Sequence, residues 1–176
     1  PNPNPNPSPN PYPYPNPNLS PNPNSYQAEV GLPVAVWRAA AEGDAQAVAA
    51  WLNEEGGVDA CTARHGVTLL MVAAGAGQEA VVRMLLQHGA SVNLMCPPGG
   101  SALIAAAANG HITIVQVLLD AKADASLQTT NGNTALMAAE EEQETATANL
   151  LRQYVKRQTT EAEARTASTV PHATAA

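Results

Sequence analysis

The chain has 176 residues, a formal net charge of −7, 45% hydrophobic and 3% aromatic residues, 15 prolines and no phenylalanine. That length allows one domain with room for appended segments. Charged residues make up 13%, well below the roughly one quarter usual in soluble domains, and the excess proline has one source: 12 of the 15 lie in residues 1–33.

Several classes drop out. No run approaches the ~18 apolar residues of a membrane-crossing helix, and the opening lacks the basic and apolar regions of a secretory signal, so no membrane association is expected. Cys61 and Cys96 are too few for a disulfide scaffold and lack metal-ligand spacing. Free thiols in a reducing compartment, cytoplasmic or nuclear, are the expectation. The acidic balance argues against a phosphate-binding surface, so no nucleic-acid partner is expected. A chain that starts on Pro1 reads as a processed form or a fragment.

Residues 1–18 alternate Pro with Asn, Ser or Tyr, and Pro-Asn pairs return at 21–24. Each Pro fixes its own φ and pushes the preceding residue out of the α region, so residues 1–33 are expected to be extended and disordered. They read as a spacer. A groove ligand with Tyr12 and Tyr14 as contacts is the functional alternative.

From Val34 onward single glycines punctuate Ala, Val and Leu. Gly66, Gly99 and Gly132 are evenly spaced and set a 33-residue period. On that period Thr68-Leu69-Leu70 aligns with Ser101-Ala102-Leu103 and Thr134-Ala135-Leu136, Val81-Val82 with Ile114-Val115, and Leu85-Leu86 with Leu118-Leu119. A weaker copy precedes them, offset by a single position more than the period, with Ala39-Ala40, Gly43 and Trp51-Leu52 set against Ala73-Ala74, Gly77 and Leu85-Leu86. The reading is four units at about 34–62, 63–95, 96–128 and 129–157, followed by a disordered tail over 158–176.

Each unit reads as two short helices and a long loop. Thr68 can cap a first helix through its hydroxyl, and Gly77 reverses the chain. Val81, Val82, Leu85 and Leu86 fall on one face of a second helix, and Gly89 stands where a left-handed residue ends it. One such pair cannot bury its apolar stripe, but stacked copies can.

These residues resemble the ankyrin repeat family, whose pattern runs Gly-x-Thr-Pro-Leu-His-x-Ala-Ala-x-x-Gly-His, then Val-Val-x-x-Leu-Leu and Gly-Ala-Asp-Val-Asn. Gly66 to Ala74, Gly89 to Asn93 and Asn109-Gly110-His111 carry the match, which covers 34–154. The resemblance implies an all-α solenoid of about four helix-turn-helix units with β-turn loops. The family's Pro-Leu-His is absent, replaced by apolar residues, so packing must substitute for a lost loop hydrogen bond. Lys122 stands where Gly is expected, a left-handed position that costs a non-glycine roughly 1–2 kcal/mol. In the fourth unit Glu142 or Gln143 replaces the mid-unit Gly, and Leu150-Leu151 read as arriving one residue early. Glu140, Glu141, Glu142 and Glu144 read as a solvated cap, and Trp51 as core or cap packing.

No catalytic constellation is present. The four histidines fall in different units or the tail, no nucleophile has a base placed beside it, and no Gly-rich phosphate loop follows a strand. No enzyme activity, metal or cofactor is expected. The resemblance implies a monomeric, non-catalytic scaffold for a protein partner. The contacts carried over are the tips Arg64, His65 and Val67, then Met95, Pro97, Pro98 and Gly100, then Gln128, Thr130, Asn131 and Asn133. Gly75, Ala76, Ala108 and Asn109 join them from the first helices. Arg64 and Met95 read as the anchors. The alternatives are a spacer within a longer chain and a substrate of an asparaginyl hydroxylase at Asn93, which occupies the position the family offers to such enzymes.

Overall fold

The computed structural model describes residues 32–54, 56–96 and 100–167, with side chains as far as Thr160. The expectations for residues 1–31, Glu55, Pro97–Gly99 and 168–176 lie outside that range. Among the described residues eight helices form four pairs: α1 (Val34–Glu42) with α2 (Ala45–Asn53), α3 (Leu69–Gly75) with α4 (Glu79–Gln87), α5 (Ala102–Ala108) with α6 (Ile112–Asp120), and α7 (Ala135–Glu141) with α8 (Thr145–Ala167). The odd-numbered helices pack on one another as one layer, and the even-numbered helices as a second. Among the described residues no strand forms, and the loops contribute two isolated antiparallel bridges, Cys61 with Thr68 and Cys96 with Gly100.

Local chemistry sets the first helices. Thr68, Ser101 and Thr134 have extended backbones, and their hydroxyls accept from the amides of Met71, Ile104 and Met137 at 3.2–3.3 Å. Each satisfies one of the orphan donors of the first turn. The second helices are held by burial: Val48, Val82, Val115 and Ala148 occupy one repeated slot and are all buried. Leu85, Leu118 and Leu151 fill the next slot with no exposed surface. Trp51 holds that slot in the first unit and is partly buried against the core, as its alignment predicts.

Two boundaries and one register differ from the sequence reading. Leu32, placed in the leader, is buried, and its amide bonds Cys61 O at 3.1 Å; Pro33 then supplies the extended residue before α1. At the other end α8 runs to Ala167, ten residues past Arg157. Those ten residues carry no Gly or Pro to stop a helix. The fourth unit keeps strict register: α8 starts one full period after α6, Leu151 fills the Leu118 slot, and Arg152 takes the slot of Leu119. Leu150 therefore arrives in place of Val117, not early in place of Leu118.

The missing glycines appear as backbone strain. Lys122 sits at φ 68° and Gln143 at φ 62°, where the preceding units place Gly89 at 85° and Gly110 at 70°. Each non-glycine costs of the order of 1–2 kcal/mol there, and the packing on either side holds it in place.

Neighbouring units are also tied by hydrogen bonds. The apolar residues that replace the family's Pro-Leu-His are buried in the second and third units, from Leu69 to Met71 and from Ala102 to Ile104. The loop tie comes from another position. Asp59 accepts from the amide and hydroxyl of Ser91 at 2.8 and 2.6 Å, and one unit later Asn93 accepts from the Asp124 amide at 2.8 Å and donates to Lys122 O at 3.3 Å. The hydroxyl and amide of Ser126 in turn donate to the Asp124 carboxyl, which holds its pKa below the ordinary value.

Candidate functional site

The stacked first helices and their preceding loops leave a groove of about 690 Å³ across the first three units. Leu32, Val34, Trp37 and Ala41 come from the first unit. Thr62, His65, Val67, Met71, Val72, Gly75 and Ala76 come from the second, and Asn109 closes it from the third. The floor is low because the repeat puts small residues at the ends of the first helices. Gly75 faces only Ala105 Cβ, at the 3.5 Å a methyl group in its place would have.

Two lining residues are large, apolar and exposed: Val34 at 72% and Trp37 at 39%. In the offset that aligns the first copy with the second, Trp37 matches Met71, which is 5% exposed because units lie on both sides of it. At the first unit no described element provides that cover, and the same slot presents a ring to the groove. Among the described residues no Asp, Glu, Lys or Arg lines the groove. Its polar groups are few. Thr62 commits its hydroxyl oxygen to the Val67 amide at 3.2 Å, and Asn109 donates one amide N–H to Ala105 O at 2.9 Å.

The structure brings five of the sequence-selected contacts into this one groove: His65, Val67, Gly75, Ala76 and Asn109. Arg64 is exposed on the tip beside it. The remaining selections fall elsewhere. Ala108 is partly buried against the core, Met95 directly precedes the Cys96–Gly100 bridge and Gly100 is one of its two partners. Gln128, Thr130 and Asn131 are at the last tip, away from the groove lining. Asn133 is committed internally, its amide nitrogen donating to both Glu141 carboxylate oxygens at 2.9 and 2.8 Å. Pro97 and Pro98 lie outside the described residues.

Sequence reading missed Val34, Trp37, Met71 and Val72. The available signal was the weak first copy: aligning Trp37 with Met71 would have placed an aromatic ring on a first helix, one unit from the tips already selected.

Two features define what the site can do chemically. Among the described residues no group of His, Cys, Asp and Glu is placed to hold a metal ion, and no helix is long and apolar enough to cross a membrane. His111, which does not line the groove, is structural: its Nε2 lies 3.1 Å from Gly75 O, tying the third unit to the second. The surface is therefore an apolar depression with a sparse polar rim.

Comparison with known families agrees with this geometry. A family model described as ankyrin repeats (many copies) matches residues 85–137, and one described as ankyrin repeat matches residues 65–96. No curated protein matches the chain. The 33-residue period, the helix pairs and these two matches agree that residues 65–137 are built of ankyrin repeats.

Proposed function

We propose that this chain is a non-catalytic scaffold that binds a protein partner on the face formed by its first helices and loop tips. Ankyrin repeats are generally protein-interaction modules, and the observation that carries the reading here is the apolar groove. It exposes Val34 and Trp37, which a repeat array without a partner gains nothing by presenting to water. Five of the contacts carried over from the family pattern line the same groove, which supports the reading.

The hydroxylase-substrate alternative finds less support. Asn93 is exposed, but both polar atoms of its amide are bonded to the next unit, so an enzyme would first have to open that loop.

The test separates binding from stability. Trp37→Ala and the double change Arg64→Ala with Met95→Ala should each leave the melting transition near that of the parent. Each should also reduce recovery of the parent's partner from an extract of the native source. If the full chain recovers no partner, or all variants recover the same set, the scaffold reading fails.

A further inference from the structure

We infer that the groove takes an uncharged apolar segment of the partner, about six residues long, seated on Trp37 and Met71 and excluding Lys, Arg, Asp and Glu from its centre; this rests on the scaffold reading. The argument is one of charge complementarity. A charge brought into the groove would lose water, and among the described residues the lining offers it no carboxylate, ammonium or guanidinium as an ion partner. An apolar side chain would instead cover Val34, Trp37 and Val72, and indole is among the side chains that most often anchor interfaces.

The length follows from the packing. The groove spans α1, α3 and the end of α5, two interaxial steps of ~8–10 Å each. An extended segment advances ~3.3 Å per residue and crosses that span in about six. Gly75, Ala76 and Ala41 leave room for backbone to approach closely. At the rim, Asn109 keeps one amide N–H and its carbonyl oxygen for a peptide backbone, a pattern that reads shape and polarity rather than charge.

The experiment selects displayed random decapeptides on the full-length protein, then titrates the selected peptides and follows tryptophan emission. The expected result is a set with a run of about six uncharged residues containing a large apolar side chain. Trp37→Ala should weaken binding at least ~10-fold, as should Lys or Glu introduced at the peptide's centre. Val34→Glu should do the same. That change places an acid in the first turn of α1, where the helix dipole favours it, so loss of folding will not account for lost binding.

Selected peptides with a central charge, an empty selection, or binding indifferent to Trp37→Ala and Val34→Glu would overturn the inference. A concentration-dependent dimer abolished by Val34→Glu would assign the groove to a second copy and overturn it equally. If the native partner is lost on changing Arg64 and Met95 but not on changing Val34 or Trp37, the scaffold reading survives while this inference falls.

Discussion

The third and fourth units share a 33-residue register and differ in what they do with it. In the third unit Ala107 and Leu119 are buried, because another unit packs over them. In the fourth the same slots hold Glu140 and Arg152, both exposed and joined by a 2.5 Å ion pair. Ile104 is 8% exposed, and its counterpart Met137 is 48% exposed. A repeat position therefore has no fixed chemistry of its own. Its residue is set by whether a neighbour covers it, and Glu140 with Arg152 makes the uncovered face of α7 and α8 polar.

A second comparison concerns the slot that opens each second helix. Asp44 in the first unit accepts from the Ala47 amide and caps its own helix. Gln78 and His111 make no such cap and reach back to the preceding unit, Gln78 Nε2 donating to Ala41 O at 2.9 Å and His111 Nε2 lying 3.1 Å from Gly75 O. Gly43 and Gly77 have left-handed backbones, at φ 85° and 77°, and a methyl group on either would also collide with these side chains. Glu144 occupies the same slot and presses equally close to Gly110. An ionised carboxylate only accepts, so it cannot repeat the bond to a carbonyl, and among the described residues its side chain makes no hydrogen bond.

The largest expected effect lies in the covered region. Leu118→Ala should cost about 2–5 kcal/mol, measured by denaturant unfolding, because the side chain has no exposed surface and its loss leaves a cavity. A loss well below that range would mean that the third unit is not packed as described. Next comes Thr147, which fills the slot of Val81 and Ile114 with a fully buried hydroxyl that has no hydrogen-bond partner. Thr147→Val should stabilise by about 1–3 kcal/mol, the cost of such a group, and a destabilised variant would show that the hydroxyl is satisfied after all.

Glu144→Gln restores a donor to the last unit and should add about 0.5–1.5 kcal/mol, the net worth of one hydrogen bond. Hydrogen exchange in α7 should slow with it; unchanged exchange would show that the last unit does not use this tie. Arg152→Ala should cost about 0–1 kcal/mol and lose that small effect at high salt, since both partners are largely exposed. The smallest effect is a pH dependence. Asp124 has its pKa lowered by Ser126, so its contribution is present above the unfolded-state value and is lost as pH falls through the folded value. Stability of the parent should decline on acidification through that range slightly more than that of Asp124→Asn, and parallel curves would remove the contribution.

Much of the fold was legible in the sequence because a repeat states its own rules several times. Gly66 with Gly132, Gly77 with Gly110, the capping hydroxyls and the Val and Leu slots recur at one period, and each corresponds to a local geometry. The apparent slip at Leu150-Leu151 shows where that method fails: two adjacent leucines invited alignment by identity, while the polar Arg152 occupied the true slot of Leu119. The groove was half legible. Tips and helix ends followed from the family pattern, but Trp37 belonged to a degenerate copy.

The sequence by itself determined the period, the helix pairs, the caps and the apolar stripe, because each depends on residues a few positions apart. It also placed the strain at Lys122, since a left-handed position is a property of the turn itself. Only the tertiary structure decided which copies of a slot are covered. That is why Met71 is buried in the groove floor while Trp37 stands exposed in it, why Ala107 is buried while Glu140 meets Arg152, and why Asn93 is a tie between units and not a free loop side chain. Burial depends on what stands on the other side, and for the ends of a stacked array no local pattern encodes that.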